Sequence, residues 1–134
     1  MQPTYRSLCG ALFGAVLFGS AVQAVRGAEV RGYGFESAAQ EITQLFWLAE
    51  TANVCGWTSA EDVVKFKLFA MRFLSSHLSE RHRDALVSMV MANGYEERIR
   101  AAALEGAREN CGSNRWHLGW VSYKTAADQH ENEF

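Results

Sequence analysis

The chain has 134 residues, with 13 Lys and Arg against 15 Asp and Glu, for a net charge of −2. That length suits one domain, and the charge balance lacks the concentrated basic surface that general nucleic-acid binding needs. Neither a lysine-rich tail nor a basic amphipathic helix points to a lipid surface.

The chain opens with Arg6 and then the uncharged apolar run "LCGALFGAVLFGSAV", residues 8–22. The run ends in "AVQA", which sets Val22 and Ala24 at the two small-residue positions before a signal-peptidase cut. It falls short of the roughly 20 apolar residues of a comfortable membrane span. Residues 1–24 therefore read as a secretory signal peptide, and no integral span is expected after cleavage. Cys9 lies at the front of the run instead of after it, which is not the place of a lipoprotein cysteine. Cleavage removes Arg6 and no acidic residue, leaving a net charge of −3. The expected location is the periplasm or the exterior.

Residues 25–36, "VRGAEVRGYGFE", mix glycine and charge without a helical period and read as a flexible lead-in. A first helix is expected over about 38–54, opened by a Ser37/Gln40 capping box and closed by Gly56 in a left-handed cap. Ala38, Ile42, Leu45, Phe46, Ala49 and Ala52 recur at three- and four-residue steps along it. Thr58 with Glu61 forms a second box, and the second helix runs to about Leu78. One of its faces carries Val63, Phe66, Ala70, Phe73, Leu74 and His77, and an adjacent one Val64, Leu68, Met71 and Leu78. A helix apolar over so much of its circumference is expected at the centre of a bundle.

Ser79 caps a third helix over about 80–92, with Leu86, Met89 and Val90 facing inward, and Asn93-Gly94 ends it. A fourth helix follows over about 95–110, with a small face of Ala102, Ala103, Gly106 and Ala107 and a Glu96/Arg100 surface pair. Gly112 ends it as Gly56 ends the first. A last helix over about 114–127 carries Trp116, Trp120 and Tyr123, and residues 128–134 read as a disordered tail. No segment alternates long enough for a strand. The expected fold is thus all-α: one helical domain, 37–127, built as a small bundle of four to five helices stapled by one disulfide.

The staple is Cys55 with Cys111, the two cysteines left after cleavage. An even count in an exported chain favours a bridge. A redox thiol would want a C-x-x-C or a resolving partner, and zinc would want four suitably spaced ligands; the sequence offers neither. No catalytic residue, metal ligand or cofactor motif is identified: "HRD" at 82–84 lacks the rest of a kinase, and Glu50, Glu61, Glu105 and Glu109 are scattered over separate helices. Trp116, Trp120 and Tyr123 share one helix face, and Trp57 sits beside Cys55. These rings either pack over the disulfide and close the bundle, the more ordinary fate of such a stripe, or form an open aromatic surface for a partner.

Through "LAETANVCGW", the "NGY" at 93–95 and "RENCGS", the chain resembles the small exported two-cysteine helical proteins of alphaproteobacteria, families of uncharacterised function. In plan alone it is also similar to the acid-stress periplasmic chaperones of the HdeA type, which are all-helical and stapled by one disulfide. The leading expectation is a non-enzymatic accessory or interaction protein of the bacterial envelope with an envelope protein as partner. Trp57, Trp116, Trp120 and Tyr123 are its candidate contact residues. The rival expectations are an acid-opened chaperone and a small enzyme or enzyme inhibitor, the last requiring a cleft that joins His77 or His117 to a carboxylate.

Overall fold

The structure, a computed structural model, describes residues 34–131. The expected signal peptide, Cys9, most of the lead-in and the end of the tail lie outside the described residues. Within them the protein is all-helical, and six helices follow in order: α1 Phe35–Val54, α2 Ala60–Ser75, α3 Glu80–Met91, α4 Tyr95–Glu105, α5 Ala107–Asn110 and α6 Asn114–Gln129. The count exceeds the expected four to five because the fourth helix is split at Gly106. Glycine costs about 1 kcal/mol relative to alanine inside a helix, and the chain turns there.

Helix α1 starts earlier than its capping signal. Gly34 is the N-cap, with no side-chain cap bond, and Ala38 N–H donates to Gly34 O at 3.2 Å. Ser37 and Gln40 are exposed positions inside the helix, so their box does not form. The half-buried Phe35 packs on the core and draws the first turn into the helix. At the other end Gly56 takes φ +76°, Trp57 N–H reaches Ala52 O at 2.8 Å, and Gly56 N–H reaches Asn53 O at 3.1 Å. This is the Schellman pattern, whose left-handed residue strains any side chain with a Cβ.

Helices α2, α3 and α6 are capped by serine. Ser59, one residue after the expected Thr58, accepts from Asp62 N–H at 3.1 Å; Ser79 accepts from His82 N–H at 3.2 Å; Ser113 accepts from Trp116 N–H at 3.3 Å. Helix α2 stops at Ser75, and residues 76–78 form a turn that the Arg83 Nη1 to Leu78 O bond, 2.8 Å, ties to α3. The second glycine next to a cysteine behaves differently from the first. Gly112 does not take the left-handed conformation; the positive-φ glycines of the described region are Gly56 and Gly94.

The helix at the centre is α1, not α2. It packs against all five others and buries residues around most of its girth, including Ala38, Ile42, Phe46, Leu48, Ala49 and Ala52. Helix α2 buries the row of Val63, Phe66, Ala70, Phe73 and Leu74 as its spacing implies. Its second apolar row divides: Leu78 is buried, Met71 half-buried, and Val64 and Leu68 are exposed. A helix expected to be surrounded is therefore covered on one side only.

The split at Gly106 has a geometric consequence. The short α5 redirects the chain across the end of α1, and Cys111 meets Cys55 in a disulfide with Cα atoms 5.2 Å apart. Beside it α6 closes the bundle. Trp120 packs edge-on to Phe66, Trp116 edge-on to Trp47, both at 5.0 Å between centroids, and Trp57 stacks on His117 at 4.6 Å. Helix α6 continues past the expected boundary to Gln129, aided by a Lys124 Nζ to Asp128 bond of 2.7 Å one turn apart.

Candidate functional site

Four charged residues from three helices meet against the core. Glu50 on α1 is 3% exposed and Lys67 on α2 is 9% exposed, burial that charged side chains almost never reach without a partner. Lys67 Nζ donates to Glu50 Oε2 at 2.5 Å and to Glu96 Oε1 of α4 at 2.6 Å, and it stands 5.0 Å from the centroid of the Phe46 ring. Arg100, one turn along α4, brings Nε to within 3.5 Å of Glu50 Oε1. The expected Glu96/Arg100 surface pair is replaced by two interhelical pairs, because each side chain finds a more buried partner across the helix interface.

Above this cluster lies a groove of about 510 Å³. Its α2 and α3 wall is apolar: Val63, Val64, Leu68, Met71, Val87, Val90 and Met91 line it. The wall from α1 and α4 supplies Glu50, Asn53, Glu96 and Arg100 beside Phe46, and Lys67 enters from α2. Four apolar side chains at this groove stand in solvent: Val64 and Leu68 one turn apart on α2, and Val87 and Met91 one turn apart on α3. Met91 is 75% exposed and Leu68 52%. Scattered exposed apolar residues are ordinary; a paired row around a concavity is the pattern of a binding surface.

The four aromatic candidates lie elsewhere, and none of Trp57, Trp116, Trp120 and Tyr123 lines this groove. Trp120 and Tyr123 are buried in the main core, while Trp116 and Trp57 are half-buried against it. The stripe closes the bundle, which leaves the two buried rings no surface to offer a partner. The reason is the neighbour that α6 finds: the aromatic partners Phe66 and Trp47 belong to α2 and α1. His77 and His117 do not line the groove either; His77 meets Phe73 edge-on at 5.2 Å. Among the described residues no group of three or more His, Cys, Asp or Glu could hold a metal ion, and no helix is long and apolar enough to cross a membrane.

Lys67 and Glu50 are the site residues that the sequence reading passes over, though a signal for Lys67 exists. Val63, Lys67, Ala70 and Leu74 fall on one helical row whose other members are all core, so the lysine has to be buried with a counter-charge. Glu50 falls one turn after Phe46 in the same way. Their pairing, however, is a property of how α1 and α2 cross.

Two further polar groups are buried nearby in the chain. Tyr95 Oη and Thr43 Oγ1 share a hydrogen bond of 2.7 Å. Burial pushes the Tyr95 phenol up from its ordinary value of 10.0, with Glu96 adding to the rise and the Thr43 bond and Arg98 opposing it. Thr51 is fully buried, and its hydroxyl has no hydrogen-bond partner among the described residues.

No protein-family model, curated protein or solved structure matches the chain. The geometry of the groove therefore carries the functional argument.

Proposed function

We propose that this is an exported, non-enzymatic interaction protein of the bacterial envelope whose working surface is the groove between α1, α2, α3 and α4. One observation carries the reading: two paired apolar rows on α2 and α3 stay in solvent around a concavity with a buried ion-pair cluster in its wall. Leaving Val64, Leu68, Val87 and Met91 in water forgoes about 1.5–3 kcal/mol for each large side chain that could be fully covered. An apolar occupant recovers part of that. Export is supported by the apolar run at 8–22 with its small-residue cut site and by the Cys55–Cys111 bridge, which suits an oxidising compartment.

The groove is tested by titrating the oxidised protein with Nile red, a neutral apolar fluorophore. Saturable emission is expected, and it should vanish in a Leu68→Glu/Met91→Glu double variant whose far-UV circular dichroism is unchanged. Equal emission from that variant would remove the groove from consideration. For export, N-terminal sequencing of protein recovered from a periplasmic fraction should begin at Val25; an intact first residue on cytoplasmic protein would end that part of the proposal.

An acid-opened chaperone is the second reading, and the Lys67 cluster is what favours it. Loss of carboxylate charge in this cluster would strip a buried ammonium beside an apolar groove of its counter-charges, and removing one side of such a pair costs about 3–5 kcal/mol. Glu50→Gln at neutral pH should then mimic acid by suppressing aggregation of a denatured client. No suppression by that variant or by the acidified protein would exclude this reading.

A further inference from the structure

The groove wall formed by α1 and α4 has an unequal distribution of spare hydrogen-bonding capacity. Lys67 is held by two carboxylates, and Glu50 is engaged through both of its oxygens. Arg100 is tied only through Nε, at 3.5 Å, and its side chain is 50% exposed. Its two Nη groups have no partner among the described residues. They leave a forked cationic donor at the edge of an apolar trough, and the guanidinium fork matches a carboxylate with two parallel N–H···O bonds. Glu50, Glu96, Lys67 and Arg100 sum to zero formal charge, so the cluster carries no net negative charge to repel an incoming carboxylate. Lys67 Nζ, 2.6 Å from Glu96 Oε1, offsets the charge of that half-exposed carboxylate.

Size points the same way. About 510 Å³ falls within the roughly 300–1,000 Å³ of small-molecule sites. A partner helix is about 10–12 Å across with its side chains and calls for a longer trough than two one-turn rows provide. Resting on the groove reading above, we infer that the ligand is a single-chain amphipath with a carboxylate head, a medium-chain fatty acid in chemical class. Its alkyl chain lies against Val64, Leu68, Val87 and Met91, and its head takes the Nη edge of Arg100.

Calorimetric titration of the oxidised protein with dodecanoate, dodecan-1-ol and dodecylammonium, each below its aggregation threshold, tests this. Dodecanoate should bind about tenfold more tightly than the alcohol, the effect of one charge-assisted pair. Arg100→Gln should erase that difference while the alcohol still binds, and Arg100→Lys should restore part of it. Equal affinities for the three, or a preference for the ammonium, overturns the carboxylate head and leaves the groove standing. Binding of an amphipathic helical peptide with no binding of any of the three overturns the ligand class. If Leu68→Glu/Met91→Glu retains dodecanoate affinity, the site is misplaced and the groove reading falls with it.

Discussion

Lys67 shows how much one residue can depend on its surroundings. A buried ammonium loses most of its hydration, and two carboxylates and a ring face restore the balance. Removing one partner is worse than removing the pair. Lys67→Met should cost about 3 kcal/mol in urea unfolding, because it leaves the buried Glu50 with only the 3.5 Å contact to Arg100. Glu50→Leu combined with Lys67→Met should recover most of that loss, and equal destabilisation in single and double variants would contradict the account. Tyr95 makes a prediction of a different kind. Its phenol is raised in the folded state, so the fold holds that proton more tightly than the unfolded chain does. The resulting stability is fully present below the ordinary value of 10.0 and is lost as pH climbs from there through the raised value. Wild type should therefore lose more of its urea midpoint than Tyr95→Phe between pH 9 and pH 11, a range that brackets about 10. Thr51→Val removes a buried hydroxyl that has no partner among the described residues and should raise stability by about 1 kcal/mol.

At the scale of elements, similar local sequences end differently. Both bridging cysteines precede a glycine, yet Gly56 is left-handed and Gly112 is not. Gly56→Ala should cost about 1 kcal/mol in thermal unfolding, since a Cβ there meets no neighbour but does strain the backbone. Gly112→Ala should cost clearly less, and equal losses would show that the φ difference is not what matters. Much of this level is readable without coordinates. Ser79 before Glu80, the Asn93-Gly94 stop and the period of Ile42, Phe46 and Ala49 depend on neighbours three or four residues away, and those interactions form whatever the rest of the chain does. The weaker readings are the ones where two local signals compete. Thr58 and Ser59 can both cap, and Ser37 offers a box that Phe35 overrides by packing on the core.

For the whole molecule the disulfide and the choice of central helix matter most. The bridge joins residues 56 apart in sequence, and closing a loop of that size stabilises by about 4 kcal/mol in the loop-entropy model. Reduction should lower the unfolding free energy by up to that amount, read by urea denaturation with and without a reductant. A loss well under 1 kcal/mol would mean that α5 and α6 dock without the staple. The candidate site depends on the same architecture. Because α1 occupies the centre, Val64 and Leu68 on α2 stay uncovered, and α3 and α4 bring Val87, Met91, Glu96 and Arg100 to the same groove.

The sequence by itself determined the all-helical class, the caps at Ser79 and Gly56, the pairing of two cysteines and the inward face of α2. Each of these follows from covalent preference, helical period or counting, and none needs a distant partner. Tertiary structure alone decided which apolar rows were covered. Trp120 and α2's Val64 both sit in rows that read as apolar, but Trp120 met Phe66 and was buried, while Val64 stayed mostly in solvent. It also decided that Lys67 would find Glu50 and Glu96, on helices 17 and 29 residues away in the chain. The physical reason is that a helical row specifies a direction, and only the crossing of helices specifies what lies in that direction.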